Sequence, residues 1–281
     1  MLVTLNEVLQ DAKKNQYAVG LFNTVSLEMA HGVIAAAEEA RSPVIIGTAE
    51  VLLPYAPLKE LSWLLVPMAR EAKVPVVLHY DHGLTESKVM EAIRLGFSSV
   101  MYDCSSMSYE ENIAACRNLT KFAHLMGVSV EAELGHVGAN DDAAESGGGD
   151  DTIYTQVDEA AQYVEQTGVD ALAVAIGTAH GAYKSRPRLD FDRLSDIAAA
   201  VAVPLVLHGG SGLSEEDFRK CIRCGISKVN IFTDINCAAA KGAVDSYTEG
   251  CGMTDLMPEM TERIRSSVLK KMEIFGSAGK A

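Results

Sequence analysis

A chain of 281 residues with 48% hydrophobic composition can bury one large core, so a single domain over 1–281 is expected. Its formal net charge of −14 repels polyanions and excludes nucleic-acid binding through a basic surface, although a small phosphate can still bind at the N–H groups of a helix start. No apolar run approaches the roughly 20 residues of a membrane span, and the amphipathic, charged N-terminal stretch MLVTLNEVLQDAKKNQ is unlike a signal sequence, which makes the cytoplasm the expected location.

Short β-branched runs alternate with longer amphipathic stretches along the whole chain, the pattern of repeated βα units. The strand candidates are YAVGLFN (17–23), PVIIGT (43–48), PVVLHYD (75–81), SSVMYD (98–103), VSVEAEL (128–134), DALAVAI (170–176), PLVLHG (204–209) and SKVNIF (227–232). Between them apolar residues recur at helical spacing, as with Met29, Val33, Ala36, Ala37 and Ala40 after the first strand. Eight such units fit a closed (β/α)8 TIM barrel better than a doubly wound sheet, whose first strand would lead into a glycine fingerprint that LFNTVS lacks. The fold expected is therefore α/β, a single TIM barrel, with an extra C-terminal helix over about 258–275 packed outside it or reaching toward a partner.

After the fifth strand, HVGANDDAAESGGGDDTIYTQ is long, acidic and glycine-rich, and a loop at this end of a barrel strand is expected to act as a lid. The six cysteines, Cys104, Cys116, Cys221, Cys224, Cys237 and Cys251, are scattered without an export signal and read as reduced thiols. The lone CxxC of Cys221 and Cys224 falls late in a helix and has no second pair, so it reads as structural.

In a barrel enzyme the C-terminal strand ends converge on one mouth, so the polar residues there form the candidate site. Strand three ends in Asp81 and His82, strand four in Asp103, strand six runs into His180 and Gly181, strand seven ends in His208, Gly209, Gly210 and Ser211, strand five holds Glu133, and strand eight holds Asn230 with Thr233 just beyond. Three histidines at equivalent ends, His82, His180 and His208, form a catalytic zinc sphere with one position open. His79 lies below the mouth, His31 and His124 lie in helices and His136 in the loop, and these four read as structural. HGGSG (208–212), ahead of a helix capped by Ser214, together with NIFT (230–233) makes a phosphate cradle.

VLHYDHG, VEAELGHVG, AVAIGTAHGAY, PLVLHGGSGL and KVNIFTD, in order across nearly the whole chain, resemble the class II ketose-bisphosphate aldolases, the fructose- and tagatose-bisphosphate enzymes among them. The resemblance implies that His82, His180 and His208 bind Zn2+, with a monovalent cation as a candidate second ion, and that Asp103 and Glu133 match a second metal position. It implies that Asp81 moves the proton on the aldehyde oxygen and that Asn23, Gly181, Gly209, Gly210, Ser211, Asn230, Ile231, Phe232 and Thr233 bind dihydroxyacetone phosphate. The loop glutamate that moves the proton at carbon becomes Asp141, with Asp142 beside it as an alternative. The tail arginine that grips a distal phosphate becomes Lys280, a point charge without the bidentate fork, so the aldehyde half is expected to be unphosphorylated or otherwise atypical.

The expected activity is reversible aldol cleavage of a ketose 1-phosphate or bisphosphate by a homo-oligomer acting on a small sugar phosphate, with no nucleic-acid or membrane partner. A Schiff-base route is disfavoured because Lys228, the lysine nearest a strand interior, lies below the mouth. A metal-dependent barrel hydrolase, which needs no phosphate cradle, and a non-catalytic companion subunit, which needs no buried acid beside a metal, are the competing functions.

Overall fold

The computed structural model describes residues 1–135, 137, 154–179, 181 and 187–281. Eight parallel strands close into a barrel: β2 (Val19–Asn23), β3 (Val44–Ala49), β4 (Val76–Gly83), β5 (Ser99–Tyr102), β6 (Ser129–Leu134), β7 (Ala171–Val174), β8 (Leu205–Leu207) and β9 (Ile226–Ile231). β9 pairs with β2 (Val19↔Lys228, Leu21↔Asn230), and β4 pairs with β5 (His79↔Ser99), so no edge is left open. Each lies within a few residues of the run that predicted it. Strand β1 (Leu2–Val3), too short for its pattern to register, adds to the lower half of β4 through Leu2↔Val76 and Val3↔Val77.

The helices between strands are α2 (Leu27–Ala40), α3 (Leu58–Glu71), α4 (Glu86–Leu95), α5 (Tyr109–Leu125), α6 (Val157–Thr167), α7 (Phe191–Ala200), α8 (Glu215–Arg223) and α9 (Thr233–Ser246), after an N-terminal α1 (Leu5–Asn15). The extra helix α10 (Met253–Phe275) begins upstream of the expected Pro258, because Asp255 accepts the Gly252 N–H at 2.8 Å and fixes an earlier start. It packs on α2 and α9 outside the barrel, so closely that a Cβ on Gly32 would stand 2.7 Å from Ile264 Cγ2. Cys221, on α8, is buried in the outer core and Cys224 caps that helix, in keeping with a structural pair. Among the described residues no helix is long and apolar enough to cross a membrane.

The barrel interior decides where chemistry can occur. Side chains alternate along a strand, and at the N-terminal end of the barrel the inward positions are Val19, Leu21, Ile45, Val77, Ala171, Ala173 and Val206, in one cluster with Leu5, Val8, Leu9 and Ala12 of α1. Helix α1 thus plugs the bottom, its start fixed by Thr4, whose N–H reaches Glu7 Oε2 at 2.6 Å. Two residues further along the same strands the interior turns polar: Leu21 gives way to Asn23, Val77 to His79 and Asp81, Val206 to His208.

Candidate active site

The upper inward layer comes from alternate strands: Asn23 on β2, Asp81 on β4, Glu133 on β6 and His208 just past β8. Successive residues on a strand face opposite sides, so Asp81 and His82 should not share a face. The register of β4 on β5 shifts between Tyr80 and Gly83, and His82 takes a left-handed φ of 40°. This bulge turns both side chains into the mouth. His82 Nδ1 lies 2.7 Å from Asp103 Oδ2, whose other oxygen accepts from Ser105 N at 3.1 Å and Ser105 Oγ at 2.7 Å.

Asp81 is held from both sides: Asn23 Nδ2 donates to Oδ2 at 2.7 Å and Asn230 Nδ2 to Oδ1 at 3.0 Å. Burial opposes its ionisation, but the charges of His82, Lys228 and His208 outweigh burial and hold the carboxyl well below the usual carboxylate range. His208 is enclosed by two carboxylates, Nδ1 2.6 Å from Glu133 Oε2 and Nε2 3.0 Å from Glu131 Oε1. Burial lowers its pKa, yet the bonds to Glu131 and Glu133 prevail and raise it to about 10. His82 is raised as well, with burial overcome by Asp81 and Asp103. Asp103 is lowered, burial being outweighed by the bond to His82.

Two donor triads meet here, Asp81–His82–His208 and His82–Asp103–Glu133, each with ligand atoms within 4.8 Å of one another. The imidazole and carboxylate donors suit a borderline divalent ion such as zinc. The rings of His82 and His208 stand 4.5 Å apart between centroids.

A cavity of about 490 Å³ opens above them. It is lined by Asn23, Asp81, His82, Asp103, Glu133, Gly181, Gly209, Gly210, Ser211, Asn230, Ile231, Phe232 and Thr233, and on the opposite rim by Ala49, Val51, Leu52 and Leu84. Ser211 Oγ accepts the Phe232 N–H at 3.4 Å, joining the two loops expected to cradle phosphate. The helix whose first residue lines the cavity is α9, through Thr233, while Ser214 caps α8 by accepting Asp217 N at 3.2 Å.

His180, Asp141, Asp142, His136 and the expected lid lie outside the described residues. Lys280 is a correction. Its ammonium sits 5.6 Å from the centroid of the Tyr17 ring, and its neighbours Gly279 and Ala281 donate to Ala40 O and Arg41 O. All three partners precede strands β2 and β3, so within its own chain Lys280 lies at the closed end of the barrel, away from the cavity. His124 is structural, bonded to Asp170 at 2.9 Å.

Below the mouth lie His79 and Lys228, as expected from the sequence but given no role in the site there, together with Glu131, which the sequence reading did not single out; each is fully buried. Lys228 Nζ lies 2.8 Å from Glu131 Oε2 and donates to Asn230 Oδ1 at 2.7 Å. His79 Nδ1 is 2.7 Å from Ser99 Oγ, and burial together with Lys228 pushes its pKa down to about 4, which keeps it neutral. The signal was available in the spacing: His79 with Asp81, Glu131 with Glu133 and Lys228 with Asn230 are i, i+2 pairs, which a strand puts on one face.

Over residues 3–280 the chain matches the family model described as class-II fructose-bisphosphate aldolase. It is 42% identical over the full length of both chains to the uncharacterized protein YdjI of Escherichia coli. It is 38% identical to a fructose-bisphosphate aldolase of Staphylococcus aureus, with 100% of this chain and 99% of the other covered. The crystal structure of the YdjI aldolase from Escherichia coli superposes with a TM-score of 0.90 at 39% identity, covering 100% of both chains.

Proposed function

This chain belongs to the class-II fructose-bisphosphate aldolase family, and from that premise we propose that it is a zinc-dependent aldolase, cleaving a ketose 1-phosphate or ketose bisphosphate reversibly to dihydroxyacetone phosphate and an aldehyde. The observation that carries the reading is Asp81, a buried carboxylate pinned by two amides beside His82 and His208 on the floor of a cavity whose far wall is a glycine loop.

His82 and His208, with His180 from the same motif set, would hold the ion, and Asp103 and Glu133 are close enough to share it. Bound there, Zn2+ supplies positive charge that polarises the substrate ketone and stabilises the charge developing on its oxygen. The residues of the chain supply the rest. Asp81, ionised, takes the proton of the substrate hydroxyl as the carbon–carbon bond breaks, and returns it to the aldehyde oxygen in synthesis. Asn23 and Asn230 keep both its oxygens aimed while this happens. Backbone N–H groups of Gly209 to Ser211 and the start of α9 offer a phosphate site that the net acidic surface does not cancel. Asp141, from the loop after β6, is proposed to move the proton at carbon. Lys228 is committed to Glu131 below the cavity and is not among its lining residues, which speaks against a Schiff base.

For the aldehyde half we propose an unphosphorylated chain, because the rim opposite the glycine loop is Ala49, Val51, Leu52 and Leu84. A panel of ketose 1-phosphates and 1,6-bisphosphates, assayed for released dihydroxyacetone phosphate, tests both statements. Zinc-dependent release that falls by about 10²- to 10⁴-fold in Asp81→Ala is expected, with 1-phosphates the better substrates. Release unaffected by that substitution would overturn the assignment of Asp81. Preference for bisphosphates would overturn the unphosphorylated aldehyde.

A further inference from the structure

Below the cavity lies an ion pair that the proton chemistry does not use. Glu131 on β6 and Lys228 on β9 have no exposed surface, and neither lines the cavity. A buried ion pair often adds no stability over apolar residues of similar size, so its presence is better explained by what it holds. Glu131 Oε1 stands 3.0 Å from His208 Nε2, and Lys228 Nζ donates to that same oxygen at 3.0 Å while standing 2.8 Å from Oε2. The other imidazole nitrogen, Nδ1, faces Glu133, which does line the cavity. The two nitrogens of His208 are therefore not equivalent. One looks down into a closed layer and the other up toward the mouth.

We infer that Glu131 and Lys228 are positioning residues for the metal ligand His208: Glu131 accepts the Nε2 proton and so leaves the Nδ1 lone pair for the ion, while Lys228 holds the Glu131 carboxylate in place through both of its oxygens. A carboxylate behind a ligating histidine fixes its tautomer and ring orientation and raises its basicity. Lys228 adds a second link, because its bond to Asn230 Oδ1 turns the amide so that Nδ2 faces Asp81. The ion seat and the proton-transfer group thus rest on one buried cation. This inference rests on the metal-dependent reading above.

The test uses metal-free full-length protein titrated with zinc against a chelator of known affinity, for the wild type, Glu131→Gln and the charge-balanced double variant Glu131→Gln/Lys228→Met, with folding checked by circular dichroism. We expect zinc affinity to fall by about 10- to 100-fold in both variants. Wild type that binds no zinc would overturn the metal reading itself. Wild type that binds while both folded variants bind equally well would overturn only the positioning role. A second measurement needs no variant: NMR of isotope-labelled histidine in the zinc-loaded wild type. The Nε2–H tautomer of His208 is expected, and the Nδ1–H tautomer would overturn the inference even if neither variant folds.

Discussion

Gly209 follows the histidine at the end of β8 with a φ of 64°, and a Cβ there would stand 2.4 Å from Ala179 O. Both the conformation and the contact are backbone constraints, which side-chain movement cannot relieve. Gly209→Ala should therefore lose about 1–3 kcal/mol, read as a lower urea midpoint at unchanged m, together with weaker substrate binding, because the loop that carries it lines the cavity. An unchanged midpoint would show that the backbone relaxes there. At this scale the sequence was most legible where a polar residue interrupts an apolar run at a strand end, as at Asp81, His82 and His208. It was less legible one residue pair deeper, since barrel interiors are ordinarily filled with bulky aliphatic side chains and His79, Glu131 and Lys228 are marked only by their i, i+2 spacing to the residues at the mouth. Lys280 was illegible for another reason. Its position depends on where the tail docks, and that is set by distant contacts such as Ser42 Oγ to Ser277 Oγ at 2.8 Å.

Among the elements, α1 stands apart because it closes the end of the barrel opposite the cavity. Leu9 and Leu5 are fully buried in the inner cluster with Val19, Leu21 and Val206. Leu9→Ala is expected to destabilise by about 2–5 kcal/mol while leaving kcat and KM within a few-fold at temperatures where the protein stays folded. A large loss of kcat in folded protein would mean that the plug and the mouth are mechanically coupled. The strands were readable because parallel strands covered on both faces are continuously apolar and helices are not. The β4 bulge was not, because a single register slip leaves the composition of the run unchanged, yet it is what brings His82 to the same side as Asp81. The early start of α10 was hidden by Pro258, a residue that usually marks a first turn but here lies inside the helix.

For the molecule as a whole, buried ionisable groups give stability a pH profile that zinc should invert. In metal-free protein His208, raised from 6.5 to about 10, adds stability that is complete below pH 6.5 and is lost as pH rises through about 10. His79, lowered from 6.5 to about 4, stabilises above pH 6.5 and loses that contribution as pH falls toward about 4. Glu131, lowered from 4.5 to about 2, stabilises above pH 4.5 and loses that contribution on the way to about 2. These three groups together place the optimum of the chelated protein near pH 6.5. Ligation needs the His208 proton removed, so the increment from zinc should grow as pH rises. Urea midpoints at about pH 6 and about pH 9, with zinc and with chelator, check this by linkage. A chelated protein more stable at the higher pH would contradict a charged His208 between two carboxylates.

The last barrel strand to be made brings two of the groups that compensate the buried acids. Lys228 faces Glu131, Asn230 faces Asp81, and β9 also supplies the pairing that seals β2 to β8. A chain still emerging from the ribosome carries Asp81 and Glu131 before it carries Asn230 and Lys228, so until β9 is made the bonds to these acids come from Asn23 and His208. With β9 in place the seam between β2 and β8 is fastened and the hydrogen bonding of the cavity floor is completed by the same strand.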